Sequence, residues 1–317
     1  MTPKHKNSQS LAKTLGLFFA GLTAFASLLG FLLKDQNIAI LHSKGLIASQ
    51  QRSIILYALA VSLLIAVPTV LLLYFTAWRY RESHATAKYH PAAKNGKLFN
   101  FTIWALPTLF VVILAVALVP ATHKLQPNKA LAAEAKPITI QVMAMRWKWL
   151  FIYPDQNIAT VNFVQIPKDV PVVFDLTADE APMSSFWIPN LSGQLYAMTG
   201  HINRLNLIAN EMGDFRGRSA EINGAGFAGM QFTTRVSSMQ DFTAWVDATK
   251  QDSGILDKAN YQQLVKPSQN NSVTSYYPVD NTLYAATVMK YMGSHNPTPS
   301  PSSDNKMSEQ MHMGGSH

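Results

Sequence analysis

Two stretches of the chain, residues 53–78 and 98–120, contain no charged side chain. At a rise of about 1.5 Å per residue, a helix over either stretch is long enough to cross a hydrocarbon layer about 30 Å thick. The loop between them carries five Lys or Arg residues and a single acid, Glu82. Because basic loops stay on the cytoplasmic side, the pattern predicts a transmembrane hairpin over residues 53–120 whose outer ends lie on the exported side.

The first 33 residues combine a basic start, an apolar stretch and small residues at positions 24 and 26. This arrangement is typical of a signal peptide that is cleaved after export, and it fits a retained transmembrane helix equally well. Both alternatives stay open. Either one leaves the topology of the hairpin unchanged, because in both cases the chain starts on the cytoplasmic side.

After a polar linker over residues 121–136, short β-rich segments with alternating apolar positions run to about residue 250, separated by Pro, Gly, Asn and Asp. They predict an antiparallel β-sandwich on the exported side. Segments 239–251 and 253–267 predict short helices, residues 251–293 predict a short C-terminal helical region, and residues 294–317 predict a disordered tail. Aromatic residues at every second position predict one packed face of the sandwich: Trp147, Trp149, Phe151 and Tyr153.

Composition supports a membrane anchor joined to a water-exposed domain. The 317 residues are 48% hydrophobic and 14% charged, and the apolar residues are unevenly distributed. The net charge of +8 reflects Lys and Arg clusters beside the apolar stretches, which is the pattern of membrane topology rather than of nucleic-acid binding. The chain has no cysteine, so disulfides, thiolate metal sites, cysteine nucleophiles and lipid attachment to cysteine are excluded.

The segment 217–230, "GRSAEINGAGFAGM", has the spacing of a metal-binding loop. Together with the hairpin, the linker and the segment "WKWLFIYPD", it resembles subunit II of the haem–copper terminal oxidases, and the resemblance extends over about residues 51–250. The resemblance implies that the sandwich is cupredoxin-like. In members of that family that accept electrons from cytochrome c, a C-S-E-I-C-G-x-x-H-x-x-M loop and an upstream His hold a dinuclear copper centre.

Here every Cys and His of that pattern is replaced. Ser219 and Asn223 stand at the two cysteines, Phe227 at the loop histidine and Ser184 at the upstream histidine in "SSFWIP". A dinuclear copper centre requires bridging thiolates and imidazole ligands, which these side chains do not supply. We therefore expect no metal or other cofactor in this chain. Two positions of the pattern are retained: Glu221, which offers its backbone carbonyl in that family, and Met230.

The same loss is found in the bo-type ubiquinol oxidase branch of the family, which takes electrons from membrane quinol. The resemblance implies an inner-membrane complex that oxidises ubiquinol, reduces dioxygen to water and moves protons outward. The haems and one copper centre would lie in a large partner subunit, with further small membrane subunits beside it. This chain would be a non-catalytic structural or assembly subunit with its main domain in the periplasm, embedded in the lipid bilayer and without a cytochrome c partner.

An alternative interpretation is a membrane-tethered copper-handling or oxidase-assembly protein. Thioether and imidazole groups bind copper, and the tail supplies several of them: Met307, Met311, His312, Met313 and His317. The two interpretations differ in where copper binds, because the copper-handling protein would bind it in the exported domain.

One membrane position also departs from the family. The family usually has a Glu seven residues before the proline that corresponds to Pro107, near a proton path in the neighbouring subunit, and this chain has Asn100 there. An amide cannot relay a proton as a carboxylate does. Proton uptake near this position is therefore expected to use water or another group, with Glu82 and His90 as candidates.

Overall fold

The structure is a computed structural model that describes residues 41–80, 96–131, 135–181 and 183–292, together with residues 27, 30, 31 and 39. The predictions for the N-terminal segment, for the loop that carries Glu82 and His90, and for the tail over residues 294–317 therefore lie outside the described residues or rest on isolated ones.

Two long apolar helices, α1 (Leu46–Arg79) and α2 (Lys97–Lys124), have the length and composition to cross a membrane. Both are longer than the uncharged stretches that predicted them, and α2 takes in the first four residues of the predicted linker. Their large apolar side chains are mostly exposed in the isolated chain. Thr and Ser hydroxyls within the helices donate to backbone carbonyls one turn earlier, so these polar groups are satisfied without water, as a hydrocarbon environment requires.

The strands of the remaining described chain form two stacked β-sheets. The larger sheet contains, in spatial order, β11 (Gly254–Leu256), β12 (Thr274–Val279), β3 (Ile158–Val161), β2 (Lys148–Tyr153), β1 (Ile138–Met145), β5 (Pro171–Ala178) and β8 (Asn203–Ile208). The smaller sheet contains β4 (Phe163–Pro167), β10 (Gln231–Ser237), β9 (Gly213–Ser219), β6 (Ser184–Trp187) and β7 (Leu195–Ala197).

The predicted β-sandwich is confirmed, but its sheets are mixed rather than purely antiparallel. Strand β1 pairs parallel with β5, β10 with β4, and β11 with β12. The other named strand pairs are antiparallel. Alternation along a strand shows which side chains are buried but does not identify the neighbouring strand, and the sequence therefore could not reveal these pairings.

Aromatic side chains fill the space between the two sheets. Phe186 of β6 stacks on Phe232 of β10 with ring centroids 5.0 Å apart, and Trp149 of β2 meets Phe186 edge-on at 5.3 Å. Trp149, Phe151 and Tyr153 are fully buried, which confirms the packed aromatic face for these three residues. Trp147 differs, because it lies in the turn between β1 and β2 with a positive φ of 64°.

A second core covers the outer face of the larger sheet. Helix α3 (Met239–Gln251) begins as predicted after the N-cap residue Ser238. Beyond it, α4 (Lys258–Val265) and α5 (Leu283–Met292) pack their apolar residues against Met143, Leu150 and Ile152. The region predicted as helical thus also contributes strands β11 and β12. The strand β11 is only three residues long, which is too short to show an alternating pattern.

A buried carboxylate anchors this C-terminal region to the sandwich. Asp179, 2% exposed, follows β5 and accepts hydrogen bonds from the hydroxyls of Tyr261 (2.6 Å) and Tyr291 (2.7 Å). The ammonium of Lys290 also reaches Asp179 at 3.0 Å and Glu180 at 3.0 Å. Burial, followed by the neighbouring Asp179 carboxylate, raises the pKa of Tyr261. Tyr261 is therefore a neutral donor to a buried charge.

A buried lysine makes a second attachment between the same two regions. The Nζ atom of Lys148 in β2 donates to the backbone carbonyls of Leu264 (2.6 Å) and Lys266 (2.9 Å). These carbonyls lie at the end of α4, where helix groups lack internal partners and the helix dipole favours a cation. Burial lowers the pKa of Lys148.

The outer ends of both long helices are bonded to the sandwich. The amides of Lys44 and Gly45 donate to the Asn190 carbonyl at 2.7 and 3.2 Å, and Gly45 forms a β-bridge with Ala209. Beyond α2, the Pro127 carbonyl accepts bonds from the backbone and side-chain amides of Asn206 at 2.9 and 3.0 Å. The sandwich is thus seated on the hairpin at two places.

We expect Tyr261→Phe to lower the free energy of unfolding by about 2 kcal/mol, because it removes a hydrogen bond to a buried charge. Urea unfolding of the full chain in detergent, followed by tryptophan fluorescence, measures this value. Tyr196→Phe is the matched control, since Tyr196 is 36% exposed and its change should cost about 0.5 kcal/mol or less. Equal effects of the two variants would contradict the anchoring role of Asp179.

Candidate functional site

Four of the predicted copper-site positions come together at one end of the sandwich. Ser184 begins β6, Ser219 ends β9, Asn223 lies in the following loop, and Met230 immediately precedes β10. All four are buried. The loop returns because β9 and β10 pair antiparallel, with the Ser219 amide donating to the Met230 carbonyl at 3.1 Å. The matching of single positions to the family pattern therefore identified residues that are neighbours in space.

The carboxamide of Asn223 is at the centre of this group. Its Nδ2 donates to Ser184 Oγ at 2.8 Å and to Met230 Sδ at 3.0 Å. Its Oδ1 atom is buried and accepts no hydrogen bond from any residue that the structure describes. A buried acceptor without a partner is destabilising. The unpaired Oδ1 atom therefore offsets part of the stability that the two hydrogen bonds from Nδ2 provide.

The remaining predicted positions lie at the edge of the group. Ser219 Oγ donates to the Glu221 carbonyl at 3.0 Å, which is the carbonyl that the family resemblance assigns as a ligand. The Glu221 residue is exposed, and Phe227 is half-buried in a single 3₁₀ turn, Phe227–Gly229. Asn100 is not part of this site, because it lies in the first turn of α2.

These side chains do not fit a dinuclear copper centre. The described residues contain no group of three or more His, Cys, Asp or Glu side chains that could hold a metal ion. Hydroxyl oxygens are hard ligands that do not replace bridging thiolates, and the amide nitrogen of Asn223 carries hydrogens that face Ser184 and Met230. The positions that bind copper elsewhere in the family are connected here by hydrogen bonds.

Trp147 and the backbone of the loop explain why the loop keeps two of its glycines. Its Nε1 donates to the Asn223 carbonyl at 3.3 Å. A Cβ atom on Gly226 would lie 2.3 Å from Trp147 Cγ, and Gly224 has a φ of +113°, which side-chain-bearing residues rarely adopt. The indole therefore requires Gly226 in order to cover the loop, and the backbone conformation of the loop requires Gly224. Sequence reasoning placed Trp147 on the packed face and missed this contact, because nothing local signals that residues 147 and 226 meet.

A shallow surface cleft of about 240 Å³ lies beside the loop. Trp187, Arg218 and Phe227 contribute to its lining, and the Arg218 guanidinium lies 5.1 Å from the centroid of the Trp187 ring. At this distance a cation and an indole attract each other. Ile222 at the loop tip is 79% exposed.

Comparison with known proteins identifies the family. The chain is 41% identical over 280 residues to cytochrome bo(3) ubiquinol oxidase subunit 2 of Pseudomonas putida, covering 88% of each chain. It is 39% identical over 262 residues to ubiquinol oxidase subunit 2 of Acetobacter aceti, covering 82% of this chain and 85% of that protein. The chain belongs to the ubiquinol oxidase subunit 2 family. The predicted family resemblance is confirmed.

A family profile described as the COX Aromatic Rich Motif matches residues 250–295. This segment supplies the helical side of the second core and the two tyrosines that bind Asp179. The motif therefore includes the described helices α4 and α5, which cover the outer face of the larger sheet.

Solved structures of oxidase subunits align with parts of the chain. The periplasmic domain of subunit II of the cytochrome oxidase (CoxB) of Bradyrhizobium japonicum is 22% identical, with a TM-score of 0.36 over 38% of this chain and 98% of that one. A heme–copper terminal oxidase dimer contains a chain that is 17% identical, with a TM-score of 0.32 over 44% of this chain and 95% of that one.

We expect Gly226→Ala to destabilise the protein by about 1–3 kcal/mol, because the added methyl group overlaps Trp147. Gly254→Ala is the control, since a Cβ there meets only the Tyr276 ring at 4.0 Å. Urea unfolding compares the two. The double variant Gly226→Ala/Trp147→Ala should lose less stability than the sum of its single changes, and strict additivity would contradict the contact.

We expect the chain truncated after residue 292 to retain no copper after incubation with Cu(I) or Cu(II) and removal of free metal, because the loop side chains are weak or unavailable ligands. Metal analysis by mass spectrometry measures the bound copper. The full chain serves as the comparison that detects copper held by the tail. Stoichiometric copper in the truncated chain that is lost in Met230→Leu would overturn this expectation.

Proposed function

We propose that this chain is a non-catalytic subunit of a respiratory complex that oxidises ubiquinol, reduces dioxygen to water and moves protons outward. The relatives that carry the name ubiquinol oxidase subunit 2 support the assignment, since they match most of the chain. The haems and a copper centre of the complex lie in a large partner subunit, and further small membrane subunits complete it.

The observation that carries this proposal is the hydrogen-bonded group around Asn223. An exported domain that accepts electrons from cytochrome c needs a redox centre at this position, and Ser184, Asn223 and Met230 bond to one another instead. Ubiquinol is oxidised within the bilayer, so its electrons do not need to pass through a copper centre in the exported domain. Cytochrome c is accordingly not a partner in the proposed function.

The role that remains for the chain is structural. We propose that α1 and α2 cross the bacterial inner membrane and pack beside the large subunit, with the sandwich on the periplasmic side. The exposed apolar side chains of both helices support this arrangement, and so do the bonds from Lys44, Gly45 and Asn206 that tie the sandwich to the hairpin. The copper-handling alternative relies on tail residues outside the described part of the chain.

Oxygen consumption by the purified complex tests the proposed function. We expect rapid turnover, sensitive to oxidase inhibitors, with ubiquinol as the sole donor, and none above background with reduced cytochrome c. The physical reason is that this chain offers no redox centre through which a soluble donor could deliver electrons. Turnover with cytochrome c, or purification without a haem-bearing partner, would overturn the assignment.

We also propose that proton uptake in the complex does not require a carboxylate at position 100. Asn100 is exposed in the first turn of α2, and its amide cannot exchange protons as a carboxylate can. We expect Asn100→Glu to leave the rate of proton uptake by reconstituted complex unchanged. Thr102→Glu controls for added charge in the same helix. Faster uptake in Asn100→Glu alone would show that the position lies on the proton path.

A further inference from the structure

A small cavity lies where the hairpin meets the sandwich. Its volume is about 40 Å³, and its walls come from the start of α1, the segment after α2 and the loop after β6. Gln51 and Ile47 line it from α1, Leu125 and Lys129 from the segment after α2, and Ser192 and Gln194 from the sandwich. The lining therefore combines amides, a hydroxyl and a cation with apolar groups next to the membrane helices.

One buried polar atom of the cavity lining, Ser192 Oγ, has no partner within the described part of the chain. Ser192 is 3% exposed, and its Oγ forms no hydrogen bond with any described residue. Buried hydroxyls are almost always paired, so a ligand with an acceptor atom would satisfy this one. At Gly193 a Cβ atom would lie 2.9 Å from Gln51 Nε2. The absence of a side chain at this position lets the Gln51 amide approach the cavity rim beside Ser192.

The cavity lies at the depth of the lipid headgroups when the hairpin crosses the membrane. Gln51 precedes the uncharged stretch of α1 by two residues, and Lys129 follows that of α2 by nine. The polar ends of membrane helices lie in the interfacial layer next to the hydrocarbon. The site is therefore within reach of phospholipid headgroups in the exported leaflet.

Lys129 is the only charged residue in the lining of the cavity among the described residues. It is exposed, as are Arg52 and Lys124, which follow Gln51 and precede Leu125 in the sequence, and none of these three cations forms an ion pair found among the described residues. Lys and Arg usually flank membrane helices on the cytoplasmic side, so Lys and Arg at the exported ends of α1 and α2 are exceptions to this preference. Basic pockets beside membrane helices bind anionic headgroups, and such a group supplies the missing counter-charge.

We propose that this cavity binds the phosphodiester group of an anionic phospholipid. A volume of about 10–15 Å³ admits one water molecule, so about 40 Å³ admits the oxygens of a phosphate while the glycerol and the acyl chains stay outside. Lys129 supplies the positive charge, and the Ser192 hydroxyl and the Gln51 amide supply hydrogen-bond donors. Ile47 and Leu125 border the path of the acyl chains. The proposal rests on the membrane orientation in the proposed function but not on the electron donor.

Native mass spectrometry of the full chain in detergent, titrated with phosphatidylglycerol, measures this binding. We expect Lys129→Gln to weaken phosphatidylglycerol retention about fivefold, the usual effect of one cation near an anionic lipid surface. Gln51→Glu should weaken it at least as much, because the nearly isosteric carboxylate repels the phosphate. Lys258→Gln removes a cation from the exposed start of α4 and should leave retention unchanged.

Two further binding measurements distinguish the possible occupants of the cavity. Phosphatidylcholine should bind more weakly than phosphatidylglycerol, because its headgroup has no net charge, and inorganic phosphate at equal concentration should not compete, since it lacks acyl chains. Competition by inorganic phosphate would show a free-anion site instead of a lipid site. Equal retention in wild type, Lys129→Gln and Gln51→Glu would overturn the proposal and leave the cavity as a water site. Oxygen consumption is a separate readout, so failure here leaves the electron-donor assignment intact.

Discussion

The hydrogen bonds of one buried amide hold the candidate site together. Asn223 Nδ2 has two hydrogens, and it directs them to Ser184 at the start of β6 and to Met230 before β10. The Asn223 carbonyl accepts a third bond from Trp147 in the turn between β1 and β2. Four segments of the two sheets thus meet at one residue. A metal ion can connect the same segments through strong ligand bonds, whereas here neutral hydrogen bonds of modest net energy do so.

The spacing of the loop over residues 217–230 consequently reflects how the loop packs, and it does not indicate that the loop binds a metal ion. Gly226 is needed because Trp147 lies against the loop, Gly224 because its φ of +113° is rarely adopted by other residues, and Gly217 because a Cβ there would lie 2.1 Å from the Phe232 ring. None of these requirements involves a metal ion. The shape of the loop therefore follows from its packing, and fold and chemistry must be argued separately.

Local sequence patterns predicted two long apolar helices and the β-sandwich, whereas the four buried site positions were identified only through the family resemblance. Uncharged length and period-two alternation are properties of contiguous residues, and the loop spacing is preserved between Ser219 and Met230. The missed features depend on contacts between distant residues. The three-residue strand β11, the parallel strand pairs and the position of Trp147 over a loop nearly eighty residues later have no local signature, so only the assembled structure reveals them.

The attachment of the sandwich to the hairpin is also relevant to the proposed role of the chain. The Gly45 backbone approaches Leu191 so closely that a Cβ atom would lie 2.4 Å from its carbonyl oxygen, and the linker after α2 is bonded to Asn206. On the opposite side, Asp179 and Lys148 fix the C-terminal region to the larger sheet. These bonds fix the sandwich relative to the two helices at several points. They support the proposed role of bracing a catalytic partner, because bracing requires a fixed geometry but no redox group.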